Sequence, residues 1–148
     1  MKTFLRCLES ALLGFAVYLI FTTLILGTLK LVHARQMFPD EAFGSAATRA
    51  YLGIGYYYGA VFLLILFPCL MLCLLFYKYA VSKRLLVKSP YVWTALFCTS
   101  FVLLGAEVCA SHETVQTKTT LLFSWLADVL ASGAALAYLN VPQEKSGA

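Results

Sequence analysis

The most expensive residue in this chain is a carboxylate in oily surroundings. Asp128 stands in Ser124-Trp125-Leu126-Ala127-Asp128-Val129-Leu130-Ala131, a stretch with no basic residue to balance it. A charged Asp at the centre of a helix in hydrocarbon costs roughly 3 kcal/mol or more, so it must find polar company, carry a proton or meet a partner. Two kinds of role follow. Asp128 can serve a proton or ion relay, or a contact with a helix of another membrane protein. Alternatively it is architectural, a protonated acid bonded to Tyr or Thr that fixes helix register.

Lys30 and Glu107 form a second candidate pair, because each falls about one turn inside the end of an apolar run at matching depth. An ion pair there would tie the first run to the third. Snorkelling of each side chain to the interface is the alternative. Other reactive residue types argue by absence. Cys69, Cys73 and Cys98 lie inside apolar runs, Cys7 near the start and Cys109 near an outer end, so no disulfide framework is expected. Buried thiols acting as small apolar groups are the expectation, with Cys7 placed where palmitoylation is possible. His33 and His112 lie outside the apolar runs without ligand-spaced companions, apart from His112-Glu113 beside Cys109. No metal and no cofactor is expected. The chain has no Gly-rich phosphate loop, no Gly-x-Ser-x-Gly and no His-Glu-x-x-His, and Asn140 before Val141-Pro142 is not a glycosylation sequon. No catalytic residue is nominated.

The elements that must position these groups are four apolar stretches: residues 11–32, 51–77, 91–110 and 120–140. Each is long enough for a helix to cross about 30 Å of hydrocarbon. The runs are continuous rather than alternating, and lipid tolerates only internally bonded backbone, so they are helices. Of the 148 residues 61% are hydrophobic and 12% charged, an imbalance that a water-soluble domain of this length cannot hide. The fold class is therefore all-α, a single four-transmembrane-helix bundle with short loops and a loose tail over 141–148. The basic start before residue 11 opens a run too long for a cleaved leader, so the first helix is expected to be retained. Pro68 predicts a kink in the second helix, Ser89-Pro90 a start for the third, and Val141-Pro142 an end for the fourth.

Basic residues set the orientation. Lys2, Arg6, Lys78, Lys83, Arg84, Lys88 and Lys145 share one side, against Lys30, Arg35, Arg49 and Lys118 on the other. The positive-inside rule places both termini and the middle loop in the cytoplasm. The outer connections then run over 32–50 and 111–119, with Phe38 and Phe43 at headgroup depth. The net charge of +4 is scattered or concentrated in a loop between spans, which points to the lipid surface and not to nucleic acid.

Equal depth from the outer ends nominates the neighbours of Asp128: Thr22 and Thr23, Tyr57 and Tyr58, Thr99 and Ser100. Gly55 and Gly59, and Ala127, Ala131 and Ala135, make small-residue faces for close helix packing within the chain or against another subunit. In architecture the chain resembles MARVEL-like sorting tetraspans and the microsomal glutathione-handling group (MAPEG). Arg49-Ala50 is similar to the start of the latter's Arg-Ala-x-x-Asn, with Gly53 in place of Asn. It lacks the paired outer cysteines of claudins and the Cys-Cys-Gly of tetraspanins. The expected function is a non-enzymatic accessory, scaffolding or sorting subunit that packs against other membrane proteins or itself. The alternatives are a small proton- or ion-coupled transporter or channel component using Asp128, and, as the second resemblance implies, a glutathione-handling membrane enzyme.

Overall fold

The computed structural model describes residues 2–40, 42–83, 90–110 and 118–141. They form helices α1 (Lys2–Met37), α2 (Phe43–Val61), α3 (Phe67–Ser82), α4 (Pro90–Ala110) and α5 (Lys118–Asn140). A five-residue π-helical turn, Phe62–Leu66, joins α2 to α3 so that Phe43–Ser82 is one continuous rod. Four helical rods are thus long and apolar enough to span a membrane, and the chain has the architecture of an integral multi-pass membrane protein.

The rods run up and down in sequence order. Gly27 packs on Tyr51, Gly55 on Thr23 and Gly59 on Leu19, so the second rod is antiparallel to α1. Leu96 packs on Gly133 and the rings of Phe101 and Trp125 lie 6.4 Å apart, which sets α5 antiparallel to α4. α5 returns against α1 over their broadest shared face. Arg6 Nη2 donates to the carbonyls of Tyr138 and Val141, so the first and last described turns meet at one end of the bundle. The same end is latched by Tyr138 Oη donating to Glu9 Oε2 at 3.4 Å and Tyr77 Oη donating to Asn140 Oδ1 at 3.2 Å.

One expectation needs correction. Helix α1 begins at Lys2 and ends at Met37, and the second rod begins at Phe43, so the loop expected over 32–50 shrinks to a few residues. Helical hydrogen bonding does not stop where hydropathy does: Arg6, Glu9, Ser10 and the Ala-rich 46–50 segment are all compatible with helix, and Leu31, Ala46 and Ala50 bury one another at the α1–α2 corner. The 36 residues of α1 span about 54 Å, more than the hydrocarbon needs, so its ends project or the helix tilts. Pro68 makes itself felt one turn earlier. Without an N–H it cannot bond the Leu64 carbonyl in α-helical register, and the helix widens there, with the Phe67 N–H reaching Phe62 O.

The bundle surface is what water would not accept. Tyr56 is 84% exposed, Leu64 77% and Phe76 71%, within an apolar surface that also includes Leu52, Leu72, Trp93 and Phe101. Lipid is the solvent that matches it. Phe38 and Phe43 are both exposed at the α1–α2 corner, as placement at an interface requires, and the Arg35 guanidinium lies 6.0 Å from the Phe43 ring.

Candidate intramembrane polar site

Polar side chains meet where α1 and α5 come closest. The buried face of α1 carries Cys7, Ser10, Ala11, Gly14, Tyr18 and Thr22, repeating every three or four residues. That of α5 carries Ser124, Ala127, Asp128, Ala131, Ser132 and Ala135. Small residues on both let the backbones approach: a methyl on Gly14 would stand 3.0 Å from the Ala131 carbonyl oxygen and 3.4 Å from Ala135 Cβ. The polar members of the two stripes are sealed by this fit, and Asp128 and Ser132 are 0% exposed.

Glu107 enters the same layer from α4 and is also buried. Its Oε1 accepts a hydrogen bond from Tyr18 Oη at 3.1 Å and a longer one from Ser124 Oγ at 3.4 Å, so one carboxyl ties α4 to both α1 and α5. Tyr18 is held for this contact by an aromatic wedge, its ring 4.7 Å from that of Phe62 and 6.4 Å from that of Tyr58. Ser124, Asp128 and Ser132 stand one turn apart on one face of α5. Asp128 therefore lies one turn from the Glu107 contact and within electrostatic range of Glu107 and Tyr18.

The two hydroxyl neighbours Thr22 and Ser100 are self-satisfied, donating to the Tyr18 and Phe97 carbonyls, each at 2.8 Å. In contrast Glu107 Oε2, both oxygens of Asp128 and Ser132 Oγ are buried without a hydrogen-bond partner.

The residues nominated from depth divide cleanly. Thr22, Thr99 and Ser100 are buried, with Thr99 beside the Cys73 thiol. Leu96 and Phe101 face Gly133 and Trp125, so Thr99 and Ser100 do pass Asp128 at similar depth. Tyr58 is half-buried on Tyr18, but Tyr57 is 55% exposed and faces outward. Consecutive residues on a helix point about 100° apart, so both could not enter one core. For the same reason Thr22 is buried while Thr23 only covers Gly55.

Lys30 and Glu107 are not brought together. The Lys30 side chain is exposed and reaches towards Gly53, while Glu107 points inward to Tyr18 and Ser124. Gly55, Gly59, Ala127, Ala131 and Ala135 all serve packing inside this chain, the first two against α1 in the second rod and the alanines in α5. Arg49 lines an exposed cleft at the α1–α2 corner with Met37, Phe38, Pro39 and Asp40, at the end of α1 remote from Arg6. His112-Glu113 lies outside the described residues, among which no group of three or more His, Cys, Asp or Glu side chains could hold a metal.

Sequence reasoning missed Tyr18, Ser124 and Ser132. The signal for the two serines was present, since Ser124, Asp128 and Ser132 repeat at helical spacing. Tyr18 offered none: a lone Tyr in an apolar run reads equally well as lipid-facing. No protein-family model, curated protein or solved structure matches the chain.

Proposed function

We propose that the protein is a non-enzymatic multi-pass membrane subunit that works by packing its outer helix face against another membrane protein, in an accessory, scaffolding or sorting role. The observation that carries this reading is the outward side of α4. Cys98, Gly105 and Cys109 are all exposed and recur at helical spacing, and a methyl on Gly105 would meet no atom within 4 Å. Small residues turned towards lipid forgo hydrophobic contact there, and their established use is close approach of a second helix. The seams of Gly55–Gly59 and Ala127–Ala135 are already filled from within the chain, which leaves α4 as the free small-residue face. Both ends of the described chain lie at one end of the bundle, and the basic-residue bias supports a cytoplasmic position for that end.

Crosslinking in native membranes through the thiols of Cys98 and Cys109, followed by mass identification, tests the reading. A discrete adduct that disappears in Gly105→Leu is the expected outcome. A chain that stays uncrosslinked and migrates alone in mild detergent refutes it.

A second reading, a small ion-coupled transporter component, is favoured by the burial of Asp128. An Asp pointing into its own bundle is poorly placed to greet a partner helix and well placed to line an internal path. Cation or proton flux in liposomes that persists unchanged in Asp128→Asn rules that version out.

A further inference from the structure

The outward side of α2 is grooved. Ser45, Thr48, Arg49, Leu52, Gly53 and Tyr56 recur at helical spacing and line an open groove of about 720 Å³. Its polarity is graded along the helix axis. Hydroxyls and the Arg49 guanidinium stand near the α1–α2 corner, and Leu52 and Tyr56 carry the groove about 10 Å further into the apolar run. Gly53 makes the notch between the two halves, for a methyl there would meet only the Lys30 ammonium, at 3.7 Å, within 4 Å.

Lys30 is the independent sign. Gly27 packs on Tyr51, so Lys30 leaves α1 at a level close to the corner. Side chains of a helix lean towards its N-terminus, and here that carries the ammonium inward to Gly53, a turn deeper than Arg49. No carboxylate among the described residues is bonded to it. A cation turned into the apolar part of the chain calls for an anion.

The groove selects which anion. A soluble phosphate ester gains nothing from Leu52 and Tyr56, and a sterol brings a hydroxyl but no charge. A phosphodiester headgroup carrying acyl chains matches both halves, and basic side chains at the membrane surface favour anionic lipids. Between residues 30 and 49 Lys30, Arg35 and Arg49 outnumber Asp40 and Glu41, so a choline headgroup would add a further cation to a basic segment.

We propose that this groove binds one anionic glycerophospholipid, with its phosphate between Lys30 and Arg49 and an acyl chain laid across Gly53 along Leu52 and Tyr56. The site belongs to a different rod from the small-residue face of α4, and it holds whether or not that face has a protein partner.

Purified full-length protein in dodecyl maltoside is titrated with phosphatidylglycerol or phosphatidylcholine, and bound lipids are counted by native mass spectrometry. One phosphatidylglycerol is retained per chain at concentrations where phosphatidylcholine is not. Lys30→Gln and Arg49→Gln each weaken retention about fivefold, whereas Lys83→Gln, at the other end of the second rod, leaves it unchanged. Gly53→Leu fills the notch and weakens retention as well, with the fold intact because the position is open to the bundle surface. Equal retention of the two lipids overturns the proposal. Retention that survives both Lys30→Gln and Gly53→Leu also overturns it, even if Arg49→Gln fails to fold. Displacement of the lipid by an equal concentration of glycerol 3-phosphate does so too, because the groove then takes a soluble phosphate ester and has no need of the acyl chain.

Discussion

Replacing Gly14 by valine tests the packing on which the polar layer depends. A Cβ at this position lies 3.0 Å from the Ala131 carbonyl oxygen, 3.1 Å from Leu70 Cδ2 and 3.4 Å from Ala135 Cβ. The first of these is backbone of a packed helix and cannot rotate away. Admitting even the Cβ therefore pushes α5 outward by a few tenths of an ångström along its contact with Ser10, Ala11 and Tyr18, and the two γ-methyls add to it. Overpacking of this kind costs about 1–3 kcal/mol. Valine recovers only about 0.5 kcal/mol through its better helix propensity than glycine. The expected net loss is about 2 kcal/mol, near the upper half of the range because both facing groups sit on one rigid helix. Gly105→Val is the matched control, since a Cβ there meets nothing within 4 Å and only the small propensity gain remains. Equilibrium unfolding in mixed dodecyl maltoside–SDS micelles, read by near-UV circular dichroism, gives both differences. Equal stabilities of the two variants, or a Gly14→Val protein as stable as the parent, would refute the closeness of α1 and α5.

Three further outcomes follow from particular contacts. Tyr18→Phe removes the 3.1 Å donor to Glu107 and leaves a buried carboxyl oxygen with only the longer Ser124 contact; the loss is about 1.5–3 kcal/mol in the same unfolding assay, and no loss means Glu107 does not depend on Tyr18. Gly27→Ala would set a methyl 2.5 Å from the Tyr51 ring, which is itself bonded to Thr28 at 2.9 Å, so it should destabilise by about 1–3 kcal/mol and be rescued by Tyr51→Ala; an additive double mutant contradicts the contact. Cys98 and Cys109 are exposed whereas Cys7 is buried despite its place near a helix end. A membrane-permeant maleimide should therefore label Cys109, near the end of α4, well before Cys7 in single-cysteine variants, and rapid labelling of Cys7 argues against its burial between helices.

The candidate site shows how far residue types alone can lead. Asp128 was conspicuous because a carboxylate in hydrocarbon is expensive wherever its helix points, and its burial follows from that expense. Glu107 was equally visible, but depth matched it with Lys30. The structure gives it Tyr18 and Ser124 instead, because the side chain turns inward, away from the interface that Lys30 seeks. Tyr57 and Tyr58 were indistinguishable by depth, and only rotation of the second rod put one against Tyr18 and the other outside.

Hydropathy determined the four spans, the all-helical class and the need for lipid, since each is a local sum over consecutive residues that no distant contact can overturn. Which face of each helix looks inward was decided by tertiary structure. In water an amphipathic stripe announces the buried side, but in a bilayer the surroundings are as apolar as the core, and that signal vanishes. What rotates the helices is fit: Gly14 beneath Ala131, Tyr18 reaching Glu107 across 89 residues of sequence, Arg6 capping the last turn of α5. Such contacts depend on shape and on single hydrogen bonds between remote segments, and they exist only once the helices have met.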